Sequence, residues 1–202
     1  MSAIQPVSKS SKARVAPGDS ALAARLRREI EGDVLFDAFS RGRYSTDASI
    51  YQIEPLGVVV PRSEADVLRV LDIAREEGVP VLPRGGGTSQ CGQTVNEALV
   101  IDHSRFLNDV ISVDPEARTA WVHPGITLDR LNRQLKGTGL FFPVDISTGS
   151  RATIGGMAGN NSCGSRSLRY GNMVHNVRAI ELQIGPIEAP VLHSPSVVNV
   201  GN

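Results

Sequence analysis

The sequence predicts an α+β protein made of two lobes, a small β-α-β lobe and a second lobe that also combines helices with strands. Three observations predict this fold: a strand-helix-strand pattern over residues 57–82, a β-hairpin pattern over residues 109–122, and two segments rich in glycine. A chain of 202 residues is long enough for one ordinary domain or for two small lobes that share an interface.

Residues 1–34 are predicted to form an N-terminal extension with one helix. Asp19 is placed to cap a helix that begins at Ser20 and ends before Gly32. Apolar side chains recur at every fourth position along one face of this helix: Leu22, Leu26 and Ile30. We expect residues 1–17 to precede the helix without regular structure.

Lobe one is predicted over residues 52–105, after a polar loop at residues 41–50 that wraps over a later surface or contacts a ligand. A β-branched strand at residues 57–61 ends in proline, and residues 63–66 then form a variant of the capping box that begins a helix. Gly78 is placed to end this helix in the left-handed conformation. The side chains predicted to face the core are Val67, Leu71 and Ala74.

The first glycine loop, residues 84–89, follows a predicted strand at residues 80–82. Its residues are Arg84, Gly85, Gly86, Gly87, Thr88 and Ser89. Glycine lets a ligand approach the main chain closely, the hydroxyls add donors and arginine adds a charge, which is the chemistry of a phosphate-binding loop. A third strand at residues 98–102 completes a parallel sheet, and ligands bind at the carboxyl ends of such strands. The alternative is a flexible surface turn.

Lobe two is predicted over residues 106–183. Strands at residues 109–113 and 119–122 flank a turn with proline at its second position, which predicts a hairpin. Thr127 is placed to cap the next helix, and a strand is predicted over residues 176–184. The apolar side of that helix consists of Leu128, Leu131 and Leu135.

The second glycine segment, residues 148–171, has few large apolar side chains and is not predicted to pack as a core element alone. So many small residues fit either a disordered linker or a main chain laid against a large flat ligand. Four interspersed side chains favour the second interpretation: Ile154, Met157, Leu168 and Tyr170. Two such segments indicate one extended ligand that contacts both.

The composition excludes several classes of protein. With 21 basic and 21 acidic residues, no net charge draws the chain to nucleic acid or to an anionic membrane. Neither a membrane span nor a secretory signal is predicted, although peripheral membrane association stays open. Cys91 and Cys163 lack metal-ligand spacing and are expected to be reduced thiols, with a disulfide between the two glycine-rich segments as the alternative. These features predict a cytoplasmic protein.

Other glycine-loop chemistries are disfavoured by residues that they require. The dinucleotide fingerprint needs glycine where Gln90 stands, and neither glycine-rich segment has the Gly-Lys-Ser/Thr ending of a Walker A loop. The 4 histidines have no metal-ligand spacing, so no metal site is predicted. Ser165 lacks the second glycine of a nucleophile elbow, which disfavours a hydrolase. Arg166 and Arg169 fit either a solvated surface or contact with a phosphate or a substrate carboxylate.

Four motifs form a specific set: the first glycine loop and residues 121–125, 153–164 and 169–171. Together they resemble the FAD-binding domain of the vanillyl-alcohol oxidase and p-cresol methylhydroxylase family, called PCMH-type. Within it, residues 44–61 are similar to flavin dehydrogenases of D-2-hydroxy acids, of the lactate or 2-hydroxyglutarate type. The resemblance covers residues 35–183 and implies the PCMH-type FAD-binding fold.

The resemblance implies FAD as the cofactor, held without a covalent link because Thr88 stands where some relatives carry a flavin-linked histidine. It implies that residues 84–89 hold the pyrophosphate and that residues 153–164 lie along the ribityl chain and flavin. The implied cofactor-binding residues are Arg84, Gly85, Gly86, Gly87, Thr88, Ser89, Thr153, Ile154, Gly155, Gly156, Asn160, Asn161, Ser162, Gly164 and Val177.

The implied reaction is oxidation of a small D-2-hydroxy acid to the 2-oxo acid, with hydride passing to the flavin. Catalytic residues are not assigned, since members of the family take them largely from a C-terminal substrate domain. Residues 184–202 depart from the family pattern, and the 3 prolines within 10 residues at 186–195 cannot pair as central strands.

The domain is therefore expected to be truncated, with lobe two incomplete, and this chain alone is expected to be inactive. Two alternatives stay open: a non-catalytic fragment, and a flavin-dependent reductase of another substrate on the same fold, such as a nucleotide sugar.

Overall fold

The computed structural model describes residues 15–182 and the strand at residues 197–199. Most of the predicted lead-in, residues 1–14, and residues 183–196 lie outside the described residues. The helices are α1 (Ser20–Glu29), α2 (Ala38–Arg43), α3 (Glu64–Glu77), α4 (Leu128–Leu135), α5 (Ile154–Gly159), α6 (Ser167–Tyr170) and α7 (Met173–Asn176). The strands are β1 (Asp33–Leu35), β2 (Gly57–Val60), β3 (Val81–Arg84), β4 (Leu99–Asp102), β5 (Val110–Asp114), β6 (Thr119–Val122), β7 (Val177–Ala179) and β8 (Val197–Asn199).

The sheet of lobe one has the strand order β1-β2-β4-β3. Its last three strands are parallel, whereas β1 is antiparallel to β2 and was not predicted. β2 and β4 are buried along their whole length, because α1 and α3 pack on one face and a smaller apolar cluster covers the other. The predicted β-α-β unit is confirmed. Because these strands are parallel, the unit brings the carboxyl ends of β2, β3 and β4 to the same edge of the sheet.

Capping contacts confirm predicted helix ends in α1 and α3. At the start of α1 the Asp19 carboxylate accepts a hydrogen bond from the N–H of Leu22 at 2.8 Å. At the start of α3 the Ser63 hydroxyl oxygen accepts from the N–H of Asp66 at 3.2 Å. Gly78 ends α3 with φ of 68°, a conformation that glycine adopts without a steric penalty.

Asp66 does more than complete a cap. Its buried carboxylate accepts from the main-chain N–H groups of Glu31 and Arg62, each at 2.9 Å, and so joins the ends of α1 and β2. The core-facing side of α3 is broader than predicted. Val67 and Ala74 are buried and Leu71 is half-buried, as expected, and Val70 and Ile73 are fully buried as well.

The segment predicted as a loop at residues 41–50 begins inside a helix, since α2 extends to Arg43. The rest is irregular, and one main-chain hydrogen bond, from the N–H of Ala48 to the carbonyl of Ser89 at 3.0 Å, fastens it to the first glycine loop. Within the described part of the chain the longest helix is α3, with 14 residues, and no helix is both long and apolar enough to cross a membrane.

The sheet of lobe two has the order β5-β6-β8-β7, and every pair in it is antiparallel. The predicted hairpin of β5 and β6 is confirmed. Asp114 stabilises its turn, because the carboxylate accepts from the N–H groups of Glu116 and Ala117. Thr127 caps α4 as predicted, and α4 packs its three predicted leucines into the core of this lobe.

One expectation for the C-terminal part is corrected and one strand was not predicted. The strand predicted over residues 176–184 is short, because Asn176 ends α7 and β7 spans only Val177–Ala179. The three prolines of the tail lie outside the described residues, and β8, which was not predicted, lies between β6 and β7. β8 follows Pro195, the last proline of the tail, so no proline interrupts its pairing.

Candidate cofactor-binding site

The first glycine loop and the second glycine segment lie directly against each other. A Cβ atom added to Gly85 would fall closer than 3.0 Å to the hydroxyl of Thr153, and one added to Gly86 would meet the carbonyl of Arg151 equally closely. Both positions therefore need glycine for the two lobes to meet. We call the contact between the first glycine loop and residues 151–164 the seam.

A side-chain contact extends the seam beyond the loop itself. The Gln93 amide Nε2 donates to the Asn160 Oδ1 at 3.1 Å, so the residues that follow the loop also face the second glycine segment. A single extended ligand that contacts both segments requires them to be neighbours in space. The seam meets this requirement.

The first glycine loop offers a row of main-chain donors. Among the residues that the structure describes, no acceptor is found for the N–H groups of Gly85, Gly86, Gly87, Thr88 and Ser89. Just before them the chain is held in place, because the carbonyl of Arg84 accepts from the N–H of His103 at 3.2 Å. Successive N–H donors after a strand are suited to an anion such as a pyrophosphate.

The Arg84 side chain binds the protein's own main chain. Its guanidinium is buried, and it donates to three main-chain carbonyls. The acceptors are the carbonyl oxygens of Tyr44 at 3.3 Å, Thr46 at 2.8 Å and Thr94 at 2.9 Å. Beside this buried side chain, the N–H groups of residues 85–89 form the row of donors that the loop presents.

The second glycine segment has the opposite character, because its main chain is largely satisfied. Thr153 caps α5 through its hydroxyl, the N–H of Gly155 donates to the carbonyl of Pro124 at 2.8 Å, and the N–H of Asn160 donates to the carbonyl of Gly156 at 3.1 Å. This segment thus presents few donors.

What the second segment does present is bare main chain. A Cβ added to Gly159 would meet nothing within 4 Å, so the protein's own packing does not require glycine there. Gly156 and Gly159 are both exposed. A surface without side chains is suited to a flat ring that lies close to the backbone.

The turn after β6, at residues 124–125, contacts both lobes next to the seam. A Cβ on Gly125 would collide with the carbonyl of His103, and the N–H of Gly125 donates to the carbonyl of Leu107 at 2.8 Å. On the other side, the N–H of Ile154 donates to the carbonyl of Ile126 at 2.8 Å. The position of α5 relative to lobe one is set by these contacts.

Asp145 anchors the far end of the second glycine segment, a role that no sequence pattern signalled. Its carboxylate accepts from the hydroxyl of Ser165 at 2.7 Å and from the N–H of Arg166 at 2.9 Å. These hydrogen bonds, the one from Ser165 first, lower the pKa of the carboxyl group below its ordinary value. Gly164 lies against the carbonyl of the same aspartate, too close for any side chain.

The remaining predicted residues divide into two groups. Asn161 and Ser162 lie beside Asn160 in the seam segment, where the Asn161 Oδ1 accepts from the N–H of Val174 at 3.0 Å. Val177 lies in β7 and packs against the core of lobe two, where it supports the fold. The thiols of Cys91 and Cys163 are both free and exposed.

A separate cleft of about 390 Å³ lies between the start of α3 and the β5-β6 hairpin. Its lining includes the side chains of Trp121, His103 and His123, and burial lowers the pKa of His103 below its ordinary value. None of the predicted cofactor-binding residues lines it, and Pro124 is the lining residue that also reaches the seam.

The two-lobed arrangement, with a small parallel sheet, an antiparallel sheet and a seam of glycine-rich loops between them, is that of a PCMH-type FAD-binding domain. A solved structure of alkyldihydroxyacetonephosphate synthase has this fold, with a TM-score of 0.76 and 22% identity, over 90% of this chain and 40% of that chain. The chain belongs to the FAD binding domain family, whose model matches residues 55–184. The resemblance drawn from the motifs is confirmed.

The relatives include two dehydrogenases and an oxidase subunit, all of much greater length. D-2-hydroxyglutarate dehydrogenase of Escherichia coli K12 is 40% identical over 178 aligned positions, and the alignment covers 83% of this chain and 18% of that protein. Glycolate oxidase subunit GlcD of Bacillus subtilis is 40% identical over 148 aligned positions, and the alignment covers 71% of this chain and 31% of that protein. The mitochondrial D-lactate dehydrogenase [cytochrome] of Arabidopsis thaliana is 39% identical over 127 aligned positions, and the alignment covers 62% of this chain and 22% of that protein. The chain therefore spans less than a third of each of these relatives.

Proposed function

We propose that this chain is the FAD-binding domain of a flavin-dependent oxidoreductase that oxidises a D-2-hydroxy acid, of the lactate or 2-hydroxyglutarate type, to the 2-oxo acid. The observation that carries the cofactor part is the seam, in which a row of main-chain donors faces a segment of bare glycine. The substrate part is supported by the relatives, which include D-2-hydroxyglutarate and D-lactate dehydrogenases.

The two sides of the seam fit different parts of FAD. The N–H groups of residues 85–89 would hold the pyrophosphate, because it needs several donors close together. The bare main chain at Gly156 and Gly159 would lie along the ribityl chain and the flavin ring. Non-covalent attachment is proposed, since Thr88 has no ring nitrogen with which to form the histidine-type flavin bond.

When bound, FAD supplies the acceptor for the hydride removed from the substrate carbon. The residues of this chain bind the cofactor and orient it, through the loop amides on one side and α5 on the other. The rigidity of that support matters, because the reacting atoms must be held in a near-attack geometry. The base and the groups that bind the substrate carboxylate are proposed to lie in the part of the longer relatives that this chain does not span.

A titration with FAD tests the proposal directly. We expect FAD to be bound with quenching of its fluorescence and to raise the thermal unfolding midpoint by mass action. ADP should compete with FAD, because it carries the pyrophosphate, whereas riboflavin should compete weakly. A folded, monodisperse chain that shows neither quenching nor a thermal shift with excess FAD would overturn the proposal.

A further inference from the structure

Arg84 has an unusual position for a residue at the start of an anion-binding loop. Only 9% of its surface is exposed, and its guanidinium donates to the carbonyls of Tyr44, Thr46 and Thr94. Tyr44 and Thr46 precede lobe one's central strands, while Thr94 follows the loop. The guanidinium thus connects the segment at residues 44–46 to Arg84, at the start of the first glycine loop, and to Thr94, after its end.

The loop is built around this guanidinium. Gly87 has φ of +62°, and a Cβ on it would fall within 3.0 Å of the Arg84 side chain, so the main chain at Gly87 lies directly against the guanidinium. The guanidinium carbon is also 5.2 Å from the centroid of the Tyr44 ring, within cation–π range. Both the loop and an aromatic ring therefore contact Arg84.

A buried aspartate compensates the charge. Asp102 is the register partner of Arg84 across β3 and β4, and its Oδ2 accepts from the Tyr44 hydroxyl at 2.7 Å. Its Oδ1 accepts from the N–H of Ser104 at 2.8 Å. Guanidinium, phenol and carboxylate thus form one network whose hydrogen bonds lie within the protein.

We propose that Arg84 is a positioning residue for the first glycine loop: it fixes the shape in which residues 85–89 present their N–H groups, and it does not contact the cofactor phosphates. This inference rests on the proposed FAD site and changes the role that the sequence assigns to Arg84. The physical reason is geometric, because the guanidinium is almost fully buried against Gly87 and most of its N–H groups already donate to main-chain carbonyls.

Substitution by lysine separates positioning from charge. Lysine keeps the positive charge but is a point donor that cannot reproduce a planar fork across three carbonyls. We expect Arg84→Lys and Arg84→Met to weaken FAD binding by similar factors, about tenfold or more, as expected for loss of charge-assisted hydrogen bonds. Arg27→Lys is the matched control. Arg27 lies in α1, which forms no part of the seam, and its guanidinium also donates to a main-chain carbonyl, that of Val34 at 3.3 Å.

Two measurements test the proposal on the full chain. FAD titrations compare the wild type, both Arg84 variants and Arg27→Lys. Amide hydrogen exchange, followed without FAD, monitors the N–H of Ala48, which donates to Ser89, and that of Ile53, which donates to Ser45. We expect faster exchange at both amides in the Arg84 variants and no change in Arg27→Lys.

The outcomes are distinct. Near wild-type FAD affinity in Arg84→Lys together with a large loss of affinity in Arg84→Met would overturn the proposal. That result would mean that the positive charge of Arg84 interacts directly with the cofactor phosphates. Unchanged exchange in the variants would overturn it too. If the wild type does not bind FAD, the proposed function fails, while the exchange data still test whether Arg84 holds the loop. If Arg84→Met does not fold, Tyr44→Phe replaces it in both measurements. This variant removes only the hydroxyl that donates to Asp102, and we again expect weaker FAD binding and faster exchange at the two amides.

Discussion

The hydroxyl of Thr153 occupies the space in which a side chain at Gly85 would have to begin. Thr153 is 1% exposed, and its hydroxyl also caps α5 by accepting from the N–H of Gly156. A residue of lobe two thus holds its own helix in place and sets how closely the first glycine loop of lobe one approaches. The spacing of the two sides of the seam depends on this contact.

Gly85→Ala is expected to destabilise the folded chain by about 1–3 kcal/mol, because the new methyl group overpacks the seam. Urea unfolding measures the effect. The double variant Gly85→Ala/Thr153→Ala should lose less than the sum of the two single changes, since removing the hydroxyl makes room for the methyl group. Gly42→Ala is the control: its Cβ meets nothing within 4 Å, so no loss is expected. Additive losses in the double variant would contradict the steric account.

Gly159→Ala is expected to separate stability from cofactor binding. The added methyl group meets no protein atom within 4 Å, and alanine favours a helix over glycine, so the unfolding midpoint should stay the same or rise. If the flavin lies on this surface, the same methyl group obstructs it, and the FAD dissociation constant should rise about tenfold or more. Gly137→Ala, at an equally open position remote from the seam, should leave FAD binding unchanged. Wild-type affinity in Gly159→Ala would place the flavin elsewhere.

Asp145 predicts a pH dependence of stability. Hydrogen bonds lower its pKa in the folded state below the ordinary value near 4, so its contribution is present above that value and is lost as the pH falls through the folded pKa. Asp145→Ala should therefore lower the urea midpoint at pH 7, and the difference from wild type should shrink below about pH 4. Ser165→Ala, which removes the leading donor, should weaken this dependence. A difference that is constant from neutral to acid pH would argue against the assignment.

Val198→Pro tests the central position of β8. Val198 is the register partner of Ala120 on β6 and of Val177 on β7. Proline cannot donate to either ladder, so we expect a loss of thermal stability of several degrees, which corresponds to about 1 kcal/mol or more. Val198→Thr, which keeps the main-chain N–H and a β-branched side chain, is the matched comparison. Equal stability of the two variants would show that lobe two does not need β8.

The local elements of the fold were predictable because each carries its own signal. Asp19, Ser63 and Gly78 mark helix ends through contacts within one turn, and the prolyl turn after Asp114 marks the hairpin. The sequence missed β1, whose three residues have little pattern, and it did not predict β8. The proline argument does not apply to β8, because residues 197–199 follow Pro195, the last proline of the tail.

The chemistry of the site was predictable in type. Two stretches poor in side chains indicated a ligand that approaches the main chain, and the motif set identified the family to which the chain belongs. The residues that make the site rigid carried no such signal. Asp145 is one aspartate among many until Ser165 and Arg166 are folded onto it.

Composition and local pattern thus specified where helices begin and end and which loops lack side chains, because those properties depend on residues a few positions apart. Folding alone assigned partners: Thr153 to Gly85, and the guanidinium of Arg84 to three main-chain carbonyls. Such contacts join residues tens of positions apart, and their geometry depends on how both lobes pack. The same arginine and glycine types would suit either role until that packing is known.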